Sequence, residues 1–219
     1  GNGKSTSIRQ TSPELIPNIS SIRIINAGYN HNMAADTANM IYWWGKNDKG
    51  QSLGYGNTAD IMTPQPHAIT LSEQFSAGYD YGVYIDDVEG KIYGVGNNAH
   101  GQLGITRTYY FDEPKQLSGL TNVKQIIGYP GYYLKNDGTV WRRIFNETNN
   151  TYSVSEISGF SEITQITNSH VLKSNGTVYT LGNNQQVSGV SGVEQISEGI
   201  ALTSSNQVYE IGGSSSSLV

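Results

Sequence analysis

Hydrophobic residues along this chain come in short runs that alternate with polar positions. The runs are rich in Ile, Val and Tyr and are cut by Gly, Asn and Ser. Strand-forming residues bounded by turn-forming residues predict many short β-strands joined by tight turns. No segment keeps apolar residues at a period near 3.6 over several turns, as an amphipathic helix would. The pattern therefore predicts an all-β chain.

A strand–turn–strand unit recurs along the chain at irregular spacings of roughly 30 to 50 residues, the range of propeller blades and solenoids. The second strand of each unit begins with a β-branched residue followed by an aromatic one: Ile41-Tyr42, Ile92-Tyr93, Val140-Trp141, Val178-Tyr179 and Val208-Tyr209. Turn-forming residues precede each doublet, and Asp-Gly and Asn-Gly among them favour tight hairpins. A further strand leads each unit. In the last three units its first and fourth residues are apolar: Val123–Ile126, Ile163–Ile166 and Val193–Ile196.

The most specific motif follows the first two doublets. Gly45–Gly54 and Gly96–Gly104 both fit Gly-x-Asn-x-x-Gly-Gln with Leu-Gly close behind, and the segments Ala27–His31 and Ser76–Gly78 lead their units. These two units resemble the repeat of the regulator of chromosome condensation, and the other three resemble eroded copies of it. The resemblance implies a β-propeller. Familiar members of this family have seven blades, and some act as nucleotide-exchange factors on small GTPases.

The two ends of the chain match complementary parts of one unit. Gly1–Ile16 resembles the end of a unit, as in Gly54–Ile69, whereas the last unit stops at Gly212-Gly213, where such a tail should begin. A propeller must pair its first and last blades or leave strand edges exposed. We therefore expect one five-bladed propeller domain over residues 1–219, with the N-terminal segment closing the last blade. The expected blades are 22–69, 73–117, 123–157, 163–190, and 193–213 together with 1–19. The alternative is that this chain is a piece of a larger protein, cut at the boundary between two blades.

The composition and charge of the chain argue against several classes of function. The chain has 219 residues, no cysteine and a formal net charge of −5. Without cysteine there is no disulfide framework and no thiolate zinc site. The net negative charge argues against nucleic-acid binding, because proteins that bind nucleic acids carry clustered Lys and Arg residues. No apolar run is long enough to span a bilayer. We expect no metal, no cofactor, no nucleic-acid partner and no membrane insertion.

The sequence contains no convincing catalytic constellation. Gly1–Thr6 resembles a phosphate-binding loop but lacks the preceding strand and the following helix. No serine lies in Gly-x-Ser-x-Gly, and the acidic pairs Asp86-Asp87 and Asp112-Glu113 are typical of solvated loops. His31 occupies a position where the family resemblance implies a structural histidine that bonds across blades. We therefore expect a protein that is not an enzyme and has no catalytic residues.

Aromatic residues are the candidates for a binding surface. Tyr29, Tyr79 and Tyr129 each follow a glycine in equivalent loops, so they could line one face of the propeller, and the segments Arg107–Glu113 and Asn146–Thr151 are the longest loop insertions. Aromatic side chains on loops suit protein recognition and also stacking on sugars, although strands bury aromatics between blades as well. The candidate binding residues are Tyr29, Tyr79, Tyr129, Tyr109, Tyr110, Phe111 and Tyr132.

Three functions are compatible with these features. The first is a binding module directed at a protein or cell-surface receptor, which presents loops on a rigid scaffold as secreted bacterial proteins and phage attachment proteins do. Its low charge and abundant Asn, Ser, Thr and Tyr favour an extracellular or virion-surface location over the cytoplasm. The second is a glycan-binding propeller of lectin type. The third is a nucleotide-exchange factor for a small GTPase, which is less favoured because basic segments are missing.

Overall fold

The computed structural model of the protein describes residues 12–52, 58–67, 71–86, 89–105, 108–117, 119–127, 131–148 and 151–218. Over these ranges the chain forms nineteen β-strands and no helix. It follows that the described ranges contain no helix with the length and apolarity needed to cross a membrane. The prediction of an all-β chain is confirmed.

The strands form five sheets, numbered here as blades one to five, and strands adjacent in sequence are adjacent in each sheet. Blade one consists of β1 (Ile22–Ala27), β2 (His31–Asp36), β3 (Ile41–Gly45) and β4 (Ile61–His67). Blade two consists of β5 (Leu71–Ala77), β6 (Tyr81–Asp86), β7 (Ile92–Asn97) and β8 (Tyr110–Gln116). Blade three consists of β9 (Val123–Ile127), β10 (Tyr132–Lys135), β11 (Val140–Asn146) and β12 (Thr151–Glu156). Blade four consists of β13 (Ile163–Ile166), β14 (His170–Lys173) and β15 (Val178–Thr180). Blade five consists of β16 (Val193–Ser197), β17 (Ile200–Thr203), β18 (Val208–Gly212) and β19 (Ser215–Leu218).

The chain divides into two compact units. Unit one runs to Asn122 and includes the segment Phe145–Ser153, so it holds blades one and two. Unit two comprises Val123–Ile144 and Val154–Val219, which hold blades four and five and most of blade three. That residues 1–219 form a single domain stays a prediction.

Tight turns join the central strands of the blades, as the turn sequences predict. Between β10 and β11, Gly138 adopts a φ of 79° and its N–H donates to the carbonyl of Lys135 at 3.0 Å. The side chain of Asp137 accepts the N–H of Thr139 at 3.0 Å and so closes the turn. A left-handed residue in this position is most easily supplied by glycine. The Asn-Asp-Gly sequence therefore fixes this hairpin locally.

The core of unit one lies between its two blades. Met33 and Trp43 of blade one pack with Phe75, Tyr84 and Val95 of blade two in one buried cluster. Trp43 is the largest fully buried side chain among the described residues. Because each sheet buries one face against its neighbour, apolar residues of adjacent blades share a single core.

The core of unit two follows the same plan. Leu134 and Val140 of blade three pack with Ile163, Ile166 and Val171 of blade four. A second cluster joins blades four and five, through the residues Leu172, Val178, Val193, Ile196, Ala201 and Ile211. Contacts between successive blades therefore stabilise this unit, as expected where each repeat packs on its neighbours.

The fourth strand of blade five differs from the prediction. β19 pairs with β18 in antiparallel register, with Tyr209 opposite Leu218 and Gly212 opposite Ser215. The C-terminal segment β19 therefore occupies the edge of β18. The predicted closure of the last blade by residues 1–19 falls mostly on residues outside the described ones and stays a prediction. Residues 12–21 form no strand, and residues 1–11 lie outside the described residues.

One predicted loop is partly a strand. The segment from Arg107 to Glu113 was expected to be an insertion, but Tyr110–Gln116 forms β8 and pairs with β7. Tyr110 lies opposite Asn97, and Phe111 lies opposite Gly96. Both aromatic residues are therefore held at the edge of a sheet instead of on a free loop.

Candidate protein-binding surface

One end of blades one and two gathers the connections that carry the predicted aromatic residues. In blade one Ala27 lies opposite Asn32, and His31 lies opposite Gly45, so the β1–β2 and β3–β4 connections leave the same end of the sheet. Blade two repeats this arrangement, because Tyr81 lies opposite Gly96 and Asn97 lies opposite Tyr110. Antiparallel pairing thus brings loops that are distant in sequence to one end of each blade.

Tyr29 and Tyr79 stack on each other at this end. Their ring centroids are 4.2 Å apart and the ring planes differ by 16°. The two residues remain 65% and 63% exposed, and the N–H of Tyr29 donates to the carbonyl of Gly78 at 3.3 Å. Desolvation and the neighbouring Tyr29 raise the pKa of the Tyr79 hydroxyl above its usual value. The two loops therefore hold a paired aromatic platform that faces solvent.

The glycines before these tyrosines are required by buried rings beneath the loops. A Cβ atom on Gly28 would clash with Cε1 of His31. Tyr81 occupies the equivalent position beneath Gly78. Since no side chain fits at either position, the Gly-Tyr sequence of both loops follows from the packing of His31 and Tyr81.

Two lysines extend the platform toward β8. The N–H of Lys46 donates to the carbonyl of Asn30 at 2.8 Å, and its ammonium group lies 3.0 Å from the carboxylate of Asp48. The ammonium group of Lys49 lies 5.2 Å from the ring centroid of Tyr109, in cation–π geometry. Tyr109 packs edge-on against Tyr110, with 5.9 Å between the centroids. We call this set the aromatic surface: Tyr29, Tyr79, Lys46, Lys49, Tyr109 and Tyr110.

Backbone and side-chain hydrogen bonds connect the two halves of the aromatic surface. The carbonyl of Asp80, next to Tyr79, accepts the N–H of Asn97 at 2.9 Å, and the side chain of Asn97 donates to the carboxylate of Asp80. The following residue, Asn98, donates its N–H to the carbonyl of Tyr109 at 3.2 Å. The platform and the Tyr109–Tyr110 pair therefore belong to one continuous scaffold.

The spacing of the repeat motif has a structural reason. Asn47 and Asn98 are both fully buried, and each side-chain oxygen accepts a backbone N–H five residues later, from Ser52 at 2.9 Å and from Leu103 at 3.1 Å. Such a bond lets a buried asparagine replace a missing backbone partner. The Gly-x-Asn motif thus holds the turns that position Lys46, Lys49 and the β8 aromatics.

The remaining predicted residues have different locations. Phe111 is partly buried at the start of β8. Tyr132 lies on β10 in unit two and is half-buried, and Tyr129 lies outside the described residues. The structure therefore brings together Tyr29 with Tyr79 and Tyr109 with Tyr110, and the binding role of all seven stays a prediction. Sequence reasoning missed Lys46 and Lys49, although their position inside the repeat motif was a usable signal.

His31 is buried beneath the aromatic surface. Burial lowers the pKa of its imidazole from 6.5 to about 4, whereas the backbone of Tyr81 and the charge of Asp80 act in the opposite direction. Neither ring nitrogen has a hydrogen-bond partner of ordinary geometry within the described ranges. Because a buried imidazolium would be poorly solvated, we expect His31 to be neutral in the folded protein.

Acidification is expected to destabilise the protein through His31. Between pH 6.5 and 4 the unfolded chain binds a proton at this residue and the folded chain does not, so the free energy of unfolding falls as the pH falls through this window. At 1.36 kcal/mol per pH unit, the full shift corresponds to about 3 kcal/mol. Chemical denaturation at pH values from about 7 to 4 should show a shallower pH dependence in His31→Gln than in the wild type. The matched control is His100→Gln, since His100 is exposed. If the free energy of unfolding of His31→Gln depends on pH as steeply as that of the wild type, His31 is not the buried neutral histidine that causes the effect.

The described residues contain no group of three or more His, Cys, Asp or Glu side chains that could hold a metal ion. The acidic residues near the aromatic surface are instead used in local contacts. Asp48 accepts a hydrogen bond from Gln51 at 3.0 Å and pairs with Lys46. The chemistry that this end of the blades offers is thus aromatic contact combined with charge and hydrogen bonding.

Comparison with known proteins identifies the repeat. Residues 89–128 match the family described as the Regulator of chromosome condensation (RCC1) repeat. The ultraviolet-B receptor UVR8 of Arabidopsis thaliana is 30% identical over 105 residues, which cover 46% of this chain and 23% of UVR8. Human protein RCC2 is 33% identical over 102 residues, which cover 44% of this chain and 19% of RCC2. The matched segments thus span about a quarter or less of these relatives.

Solved structures show the same fold. Human WBSCR16 superposes with a TM-score of 0.64 at 17% identity, over 88% of this chain and 61% of that one. Prp20p of Saccharomyces cerevisiae superposes with a TM-score of 0.60 at 15% identity, over 86% of this chain and 57% of that one. Together with the five blades, these similarities show that the chain has a β-propeller fold like that of proteins with RCC1 repeats, and that residues 89–128 match the repeat itself.

Proposed function

We propose that the chain is a non-enzymatic protein-binding module and that the aromatic surface is its binding site. The observation that carries this proposal is the stacked, solvent-exposed pair of Tyr29 and Tyr79, held at the end of two blades beside Lys46. Large aromatic side chains with restricted rotamers offer much contact area at a small entropic cost. Stacking already restricts both rings, so binding would cost them little additional freedom.

The two lysines add polar contacts around the aromatic centre. Lys46 pairs with Asp48 and Lys49 lies over Tyr109, so both ammonium groups are positioned before a partner arrives. Tyrosine at the centre and charge at the edge is the usual composition of a protein interface. The surface therefore suits a folded protein with apolar and acidic groups close together.

Structural relatives with protein partners support this class of function. The solved structure of Prp20p is reported together with its binding properties to Gsp1p and histones. A second structure, which superposes with a TM-score of 0.55 at 17% identity over 75% of this chain and 44% of that one, is described as Kap60 bound to yeast RCC1 (Prp20). The present chain spans little more than half of the Prp20p chain at most, so the identity of its own partner belongs to the proposal.

We further propose a cell-surface protein or receptor as the partner, with an extracellular or virion-surface location. Support comes from composition: charged residues make up only 14% of the chain, and Asn, Ser, Thr and Tyr are abundant. A glycan partner is the main alternative. It is less favoured because Tyr29 and Tyr79 stack face to face, which leaves each ring a single free face for a sugar.

Replacement of Tyr79 by alanine is expected to reduce partner binding by about 30-fold or more, the effect of removing a central aromatic anchor worth about 2 kcal/mol. The immobilised protein is incubated with a surface-protein extract of the source cells, and retained proteins are quantified by mass spectrometry. The same extract is applied to Tyr79→Ala, Tyr29→Ala and the control Leu218→Ala, which truncates an exposed apolar residue on β19.

The proposal requires a set of proteins that the wild type and Leu218→Ala retain and that both tyrosine variants lose. Circular dichroism spectra of all four proteins must agree, so that lost binding is not lost folding. If the two tyrosine variants retain the same proteins as the wild type, Tyr29 and Tyr79 do not form the binding site and the proposal is contradicted. If free oligosaccharides abolish the retention of these proteins, the chain binds a glycan on them and not the proteins themselves.

A further inference from the structure

The loop between β13 and β14 differs from the equivalent loops of unit one. Tyr29 and Tyr79 each stand two residues before the second strand of their blades, whereas Asn168 holds that position in blade four and is followed by Ser169. Asn168 and Ser169 are both exposed. The N–H of Asn168 donates to the carboxylate of Glu198, in the equivalent loop of blade five, at 2.7 Å. Blade four therefore presents small polar groups where unit one presents aromatic rings.

These polar groups line an open pocket of about 460 Å³ at the same end of blade four. Its walls come from three successive blades, with Tyr132 from blade three, Ser169 and Thr180 from blade four, and Gly213 from blade five. Blade four shares one core cluster with blade three and another with blade five. The pocket therefore lies between packed blades and does not depend on a free blade face. Its volume is within the range of sites that bind small molecules.

Hydrogen bonds determine which groups of this pocket can donate and which can accept. His170 is buried, and its Nε2 lies 3.0 Å from the carbonyl oxygen of Gly213. Because a carbonyl only accepts, Nε2 carries the proton of the neutral imidazole, and Nδ1 then accepts the hydroxyl of Ser169 at 2.8 Å. The hydroxyl hydrogen of Ser169 is thereby used within the protein, and its oxygen is left to accept a hydrogen bond from a ligand.

Two amide side chains complete the polar lining of the pocket. Asn168 supplies both a donor and an acceptor. Asn183 accepts the hydroxyl of Thr180, and its NH₂ group donates to the side-chain oxygen of Gln185 at 3.0 Å, which leaves a second N–H for a ligand. Since the Ser169 and Asn183 side chains are already held by these bonds, a ligand would order them at little entropic cost.

Tyr132 forms the apolar side of the pocket. It is half-buried because it packs against the core cluster of blades three and four, so its position is fixed. None of the described residues that line the pocket carries a carboxylate, an ammonium or a guanidinium group. A charged ligand would therefore lose water without gaining a partner of opposite charge. The pocket suits a neutral molecule with several hydrogen-bonding groups and one apolar face.

We infer that this pocket binds a neutral saccharide. A pyranose ring carries hydroxyl groups that both donate and accept, and one of its faces presents C–H groups that pack on an aromatic ring. Ser169 accepts a hydrogen bond from one sugar hydroxyl, the amides of Asn168 and Asn183 bond to others, and Tyr132 packs on the C–H face. The site shares no residue with the aromatic surface, so this inference does not rest on the proposed function.

Titration of the isotope-labelled full chain by nuclear magnetic resonance tests this inference. The probes are the methyl glycosides of glucose, galactose, mannose and N-acetylglucosamine, each added up to about 100 mM, since a small ligand in an open site is expected to bind weakly. At least one glycoside is expected to shift the side-chain amide signals of Asn168 and Asn183 until they saturate. Ser169→Ala should weaken binding about 2- to 10-fold, the effect of one lost neutral hydrogen bond. Tyr132→Leu should weaken it about 10-fold or more, because the aromatic contact is lost.

Ser174→Ala is the matched control, since Ser174 is an exposed serine at the opposite end of β14. This change should leave saccharide binding unchanged. Tyr79→Ala should also leave it unchanged, which separates the pocket from the aromatic surface. Circular dichroism of each variant shows whether it is folded.

The inference is overturned if none of the glycosides shifts the Asn168 and Asn183 signals. It is also overturned if either Ser169→Ala or Tyr132→Leu is folded and binds the glycosides as tightly as the wild type. Loss of saccharide binding in Tyr79→Ala would place the sugar on the aromatic surface instead of in the pocket. If adenosine binds the pocket more tightly than every glycoside, the ligand is a nucleoside and the saccharide class is wrong.

Discussion

Replacement of Trp43 by alanine is expected to lower the free energy of unfolding of unit one by about 3 to 5 kcal/mol. Trp43 is fully buried in the cluster that joins blades one and two, next to Met33 and Phe75. Truncation removes the apolar contacts of the ring and leaves a cavity that surrounding strands can fill only in part. Gly82 shows how closely the ring is packed, because a Cβ there would lie 2.6 Å from two ring carbons of Trp43.

Trp43→Phe is the matched control for this prediction. The indole N–H of Trp43 is buried and has no hydrogen-bond partner within the described residues, so phenylalanine removes an unsatisfied donor while it keeps much of the apolar volume. We expect a loss of less than about 1.5 kcal/mol for this change. Urea denaturation monitored by far-ultraviolet circular dichroism measures both variants. Equal stability of Trp43→Ala and the wild type would show that blades one and two do not depend on this core.

Much of the fold could be predicted because it is encoded locally. The hairpin that joins β10 and β11 has a short run of strand-forming residues on each side of Asn136-Asp137-Gly138, and the Asp-Gly step favours the turn that forms. The leading strand β9 also follows its pattern, since Val123 and Ile126 are both buried. These elements need no information from distant parts of the chain.

The last strand could not be predicted in this way. Strand β19 (Ser215–Leu218) lies in a run of four serines that follows Gly212-Gly213, a composition typical of a flexible linker and not of a strand. It becomes a strand because its backbone pairs with β18, and because the Ser216 hydroxyl donates to the carbonyl of Ser188 at 2.7 Å. Strand formation here depends on tertiary pairing, which local propensity does not report.

The candidate site shows the same division between local and tertiary information. The repeat alignment places Tyr29 and Tyr79 at equivalent positions, and both are exposed at the same end of their blades. Their stacking depends on the distance between two blades and is set by contacts such as that of Asn26 with Ala77. The cation–π contact of Lys49 with Tyr109 likewise joins different blades. Sequence alone could therefore nominate these aromatics but could not assemble them.

Gly96→Ala is expected to destabilise unit one by about 3 kcal/mol or more. Gly96 is the penultimate residue of β7 and has a φ of 98°, a conformation that costs other residues about 1 to 3 kcal/mol. In addition, an alanine Cβ would lie 2.6 Å from the carbonyl oxygen of Asp80 and 2.7 Å from Cα of Tyr81. These are backbone atoms of β6 and of the loop before it, so the clash can be relieved only by moving the loop that carries Tyr79.

The control for Gly96→Ala is Gly212→Ala on β18, where a Cβ would meet no atom within 4 Å. This change should alter stability by no more than about 0.5 kcal/mol, as expected for an unstrained surface position. Thermal and urea denaturation compare both variants with the wild type. Below the unfolding transition, Gly96→Ala should also lose partner binding to the same degree as Tyr79→Ala, because the Tyr79 loop is displaced. A Gly96→Ala protein of wild-type stability would contradict the close packing of β7 on this loop, and with it the rigid platform on which the proposed binding site depends.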